Sequence, residues 1–146
     1  MPDDQQEISE LTSNDVDRLQ QQRDLIFSLL ADATSKEKFL TSAGKLGAIE
    51  AILKAGIYQS TQTYELQSLG IVLGDVFHEK LGMEWIMVKD EHGRDPALRV
   101  PGTSIILFPL TMISKRIEKA ETVDVFELYN GIAGRVLELL EDDSVD

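Results

Sequence analysis

The sequence predicts an α+β domain: N-terminal helices, a three-stranded antiparallel β-meander, then two C-terminal helices. Three observations predict it. Apolar residues recur at helical spacing over Thr61–Leu81. The pattern then switches to three short extended runs between Glu84 and Phe108, and helical spacing returns after Pro109. With 146 residues, 42% of them hydrophobic, the chain suits one core rather than two.

Residues 1–12 have little periodicity and are expected to form a flexible N-terminus, with a single domain over 13–141 and an acidic tail over 142–146. A helix can start near Ser13 and Asn14, whose side chains cap free N–H groups, with Asp15 and Asp17 at the positive end of its dipole. Its apolar positions are Val16, Leu19, Ile26, Phe27, Leu29 and Leu30, and Gln20 to Arg23 interrupt the stripe. Thr34 or Ser35 caps a segment with Phe39, Leu40 and Leu46 that Gly44 and Gly47 soften. A short helix over 48–53 then stops at Gly56.

The Thr61–Leu81 helix buries Leu66, Leu69, Leu73, Val76 and Phe77. Gly70 and Gly74 lie beside that stripe, one turn apart. Each costs about 1 kcal/mol relative to alanine, so close packing against bare backbone is expected to offset them. The extended runs are Glu84–Lys89, Arg94–Val100 and Thr103–Phe108. Asp90-Glu91-His92-Gly93 and Pro101-Gly102 connect them, and connectors this short allow only antiparallel neighbours. The first and third runs are apolar on both alternating sets of positions, so both sheet faces should be covered there. In the second run Leu98 and Val100 share one face, Ala97 and Arg99 the other. Pro109 opens a helix with Leu110, Ile113 and Ile117, and Asp124 caps the last one, whose stripe runs from Val125 to Leu140.

The net charge of -12 is uneven. Residues 1–32 carry -6, 33–120 carry +1 and 121–146 carry -7. Acidic ends oppose binding to nucleic acid and to anionic lipid, and favour a basic protein partner. There is no cysteine, hence no disulfide or thiolate chemistry. No apolar run approaches the ~20 residues of a membrane span. The acidic, polar start reads as no secretory signal, so a cytoplasmic address is expected.

Two clusters bear chemistry. Asp75, His78 and Glu79 share one side of a helix, a set that can bind a divalent ion or run acid–base chemistry. No second histidine stands at zincin spacing, and the plainer reading pairs Asp75 with an arginine beside the core. In the second cluster, Asp95 is held extended by Pro96 and can meet an arginine across the hairpin. Arg94, Arg99, Lys115 and Arg116 form either an anion or partner site or a structural ion-pair network. Trp85, the single tryptophan, is expected in the core under the Gly70/Gly74 helix.

The stretch over 69–118 resembles a family of small bacterial proteins catalogued only as a domain of unknown function. Leu69-Gly70, Leu73-Gly74-Asp75, Gly82 before Trp85, Asp90-Glu91, Gly93-Arg94-Asp95, Arg99, Phe108-Pro109, Met112-Ile113 and Lys115-Arg116 carry the resemblance. It implies a bacterial origin and a compact helix–meander–helix unit, and brings no reaction or catalytic residues.

The expected function is therefore that of a non-enzymatic protein-binding domain without a cofactor; in a sharper form it is an immunity or antitoxin protein occluding a basic toxin. The expected partner-binding residues are Asp75, His78, Glu79, Asp90, Glu91, His92, Arg94 and Arg99. The alternatives are a small metal-dependent hydrolase using Asp75, His78 and Glu79, and a homo-oligomeric adaptor with a seam on the first helix.

Overall fold

A computed structural model describes residues 6–145. The α+β class holds, around one enclosed helix. Helix α4 (Thr63–Leu81) is buried continuously from Leu66 to Phe77, Gln67 excepted. A helix so enclosed needs neighbours on every side. Helices α1 (Ser13–Phe27), α3 (Ser42–Lys54) and α6 (Val125–Val145) pack against it, with a 3-10 turn at Pro109–Thr111 and a short α5 (Ser114–Glu118). Helix α2 (Ala33–Lys38) bridges to α3.

The sheet has four antiparallel strands, not three, in the order β1 (Glu7–Ser9), β2 (Glu84–Asp90), β3 (Gly93–Arg99) and β4 (Ile106–Leu107). Strand β1 falls in the segment expected to fray. Three residues are too few to show alternation, and its partner lies far along the chain, Ile8 opposite Val88. Register sorts the faces. Trp85 pairs with Leu98 and Leu98 with Leu107, all turned to the helices, where they join the main core. Ile86, Val88 and Ala97 form a second cluster on the other face with Ile106 and Phe108. Both Ala97 and Leu98 are fully buried, so the middle strand of the meander is covered on two sides at this end.

Several boundaries also differ from expectation. The third strand shrinks because Thr103 turns back: its Oγ1 donates to the Val100 carbonyl and accepts from the Ile105 N–H. The helix expected from Pro109 breaks into the 3-10 turn and α5. Helix α3 runs through Gly44 and Gly47 rather than breaking there. A side chain at Gly44 would strike the Lys38 backbone, and the Thr41 side chain caps the helix. Thr12 caps α1 in a reciprocal box with Asp15, and Asp32 caps α2. Helix α6 continues through the tail that seemed patternless, to Val145.

The two glycines of α4 behave as packing predicts. A Cβ on Gly70 would strike the carbonyls of Pro109 and Leu110, and one on Gly74 would sit within 2.6 Å of the Trp85 ring. The bare backbone is thus a notch that admits the 3-10 turn and the indole.

Candidate functional site

Helix α1 is fastened to the domain at both ends by the same device. Near its N-terminus, Arg94 of β3 donates through both terminal nitrogens to the two oxygens of Asp15, each at 2.7 Å. Asp15 also accepts from the Thr12 N–H at 2.8 Å. Near its C-terminus the roles reverse. Arg23 of α1 donates Nε and Nη2 to Asp75 of α4, at 2.6 and 2.9 Å. The Trp85 indole donates to the same carboxylate at 3.1 Å. Fork-to-fork pairs of this kind fix geometry as well as adding attraction. The Arg94 guanidinium holds the Asp15 carboxyl far below the ordinary range; burial opposes this, and the Thr12 bonds support it.

The residues expected to carry function do not form one surface. Asp75 is enclosed by Arg23 and Trp85, close to the plainer reading of its role. His78 is bonded at Nδ1 to the Met83 carbonyl, 2.6 Å away. Glu79 accepts from Ser42 at 2.7 Å and pairs with Lys45 at 2.8 Å. Burial raises its pKa, but these bonds and the lysine charge outweigh that and leave it below its ordinary value. The three groups have three separate sets of partners, and among the described residues no cluster of three or more His, Asp or Glu side chains fits a metal ion.

Arg99 pairs with Glu84 at 2.8 Å, and Arg116 donates to the Met112 carbonyl. Arg94 takes Asp15 of α1, and among the described residues no arginine bonds Asp95, so the bond expected for Asp95 across the hairpin is not made. Arg94 and Arg99 stand roughly 16 Å apart along β3, so the four bases do not converge. Asp90, Glu91 and His92 are at the exposed hairpin tip, where Asp90 accepts from the His92 N–H. The apolar seam imagined on α1 is missing as well. Val16 is the exposed large apolar residue on α1 among the described residues, and Leu29 lies beyond the end of the helix.

The opening that does form lies between the two clamps, beneath α1. It is a groove of about 520 Å³ whose apolar floor comes from Leu19, Met87, Pro96 and Leu110. Gln22 is 7% exposed and lines it, yet its amide makes no hydrogen bond among the described residues. Gln67 of α4 and Arg18 and Gln21 of α1 line it too. Sequence reading missed this site because Gln22 looked like a break in the stripe. The signal was there: Asp15, Leu19, Gln22 and Ile26 follow a 4-3-4 spacing, so polar residues occupy half of the buried face. A second groove, about 620 Å³, runs between β4 and α6 over Ile106, Met112, Ile132 and Leu139. No buried polar side chain faces it.

An enclosed, notched helix with an antiparallel sheet and a groove strapped by α1 defines a small α+β domain. The chain belongs to the family described as a domain of unknown function (DUF3806), whose model matches residues 45–129. That span takes in Met87, Pro96 and Leu110 of the floor and the sheet wall of the groove, but not α1 with Leu19. No curated protein matches. A crystal structure from Bacteroides thetaiotaomicron VPI-5482, at 1.50 Å resolution, is similar in fold, with a TM-score of 0.72 at 16% identity. The match covers 88% of this chain and 47% of that one, so this chain spans about half its length. No helix among the described residues is long and apolar enough to cross a membrane.

Proposed function

We propose that this chain is a non-enzymatic, cytoplasmic protein-binding domain whose partner is basic; in the sharper form the partner is a toxin domain that it occludes. One observation carries the reading: four of the bases are already engaged by the protein's own carboxylates. Arg23, Lys45, Arg94 and Arg99 are paired with Asp75, Glu79, Asp15 and Glu84. Each pair cancels itself, so the net charge of -12 is carried by the remaining groups. Exposed Glu127, Glu138 and Asp142 on α6 add to that excess. A field of this sign speeds encounter with cationic surfaces and discourages anionic ones. The polar groups with catalytic potential support the same reading, since Asp75, His78 and Glu79 hold the fold together.

Affinity capture from the native host tests it, with the product of the adjacent gene as the first purified candidate. The expected result is one defined basic protein, bound in fixed stoichiometry and released as salt rises. If nothing basic is retained at low salt and the neighbour's product does not bind, the reading fails.

A further inference from the structure

We infer that the groove beneath α1 binds the C-terminal end of a short peptide segment, with an apolar side chain on its floor and a main-chain amide on Gln22. The inference rests on the protein-binding reading and names what one part of a partner would present. The first ground is the state of Gln22. The residue is 7% exposed, and its carboxamide, without a hydrogen-bond partner among the described residues, is open to a ligand that supplies both an acceptor and a donor. Its polar end is not sealed in the core, for the one fully sealed, unbonded side-chain atom among the described residues is the Tyr58 hydroxyl. The Gln22 amide therefore meets the groove.

A peptide unit offers a carbonyl and an N–H side by side, the complement of a carboxamide. Gln21 and Gln67 put two more carboxamides on the same walls. The volume, about 520 Å³, lies in the range of small-ligand sites and holds a few residues rather than a folded surface.

Charge gives the polarity. Four ionisable groups other than Tyr64 line the groove: Asp15, Arg18, Arg94 and Asp95. Asp15 and Arg94 neutralise each other. That leaves the exposed Arg18, without a carboxylate partner, on the α1 wall, and Asp95 on the β3 wall. A terminal carboxylate is drawn to Arg18 and held off by Asp95, so the segment lies with its end towards α1. Leu19, Met87, Pro96 and Leu110 receive the side chain.

The test uses the full chain with two probes, N-acetyl-alanyl-leucine and its C-terminal amide, read by NMR of the side-chain amides. Both probes should shift the Gln22 and Gln67 resonances saturably, the free acid binding several-fold more tightly. Gln22→Met should weaken both by about tenfold while melting no lower than the parent, because no hydrogen bond within the protein is lost. Arg18→Gln should abolish the preference for the acid. Should Gln22→Met fail to fold, Gln67→Met takes its place with the same expectation. Absence of a saturable shift with either probe, or full affinity in the folded Gln variant, overturns the inference. Loss of the groove variant's peptide binding with the basic partner still captured, or the reverse, separates this site from the wider reading.

Discussion

The two clamps on α1 use the same chemistry and lead to different surroundings. At the Arg23–Asp75 end the carboxylate receives three hydrogen bonds, the third from Trp85, and the indole fills the notch at Gly74. The polar groups there are matched, and the opening beside the pair is the smaller of the two, about 280 Å³. At the Asp15–Arg94 end the pair is equally well aligned, but the wall beside it carries an unbonded Gln22 above an open, apolar floor. The first end is built as a joint and the second as a joint with a vacancy next to it. An arginine–carboxylate fork is thus no guide to function by itself; the bonding state of its neighbours is what separates structure from site.

The comparison can be broken most forcefully at the closed end. Arg23→Met leaves the Asp75 carboxylate enclosed with only the indole as donor. The expected loss is about 3 kcal/mol, the low end for a broken buried pair because the guanidinium keeps some contact with water. Trp85, the single tryptophan, reports the unfolding midpoint in urea. A loss under about 1 kcal/mol would mean that the joint does not hold α1.

Gly74→Leu comes next, with an expected loss of about 1–3 kcal/mol from overpacking against Trp85 and Pro109. A variant that melts like the parent would show that the indole does not occupy the notch.

The smallest effect is expected at the open end and sharpens the contrast through pH. Asp15 has a lowered pKa in the fold, so its contribution is complete above the ordinary carboxyl value of about 4 and fades as the pH falls towards the folded value. Asp15→Asn should lose that acid-dependent part. Its midpoint should therefore fall less steeply than the parent's below about pH 4. Parallel curves would place the acid sensitivity elsewhere.

Much of the closed end was legible in the sequence. The stripe of α4 has the helical period, the paired glycines announce a close approach, and the short connectors fix an antiparallel hairpin. Asp75 reads correctly as a carboxylate seeking an arginine, though nothing local says which. The open end was not legible, for a physical reason. Asp15 and Arg94 are 79 residues apart, and the pairing is decided by where α1 lands on the sheet. The sequence offered Arg94 only as part of a local set with Arg99, Lys115 and Arg116. Gln22 was discounted because stripes are read by hydrophobicity, whereas a binding groove needs a polar residue where the core pattern expects an apolar one. The family model begins after α1, so Gln21 and Gln22 lie outside the part of the chain that the family defines, while Gln67 lies within it.

Strand β1 bears on how this protein would behave in the laboratory. Only three residues shield the outer edge of β2, and they are recruited from the far end of the chain. A fragment starting after Ser9 would leave the backbone of Met87-Val88-Lys89 without its lateral neighbour and extend the open edge that begins at Trp85-Ile86. A run of that composition invites another molecule to fill the gap. Trimming the amino end to obtain a tidier protein would thus risk turning a discrete molecule into a sticky one.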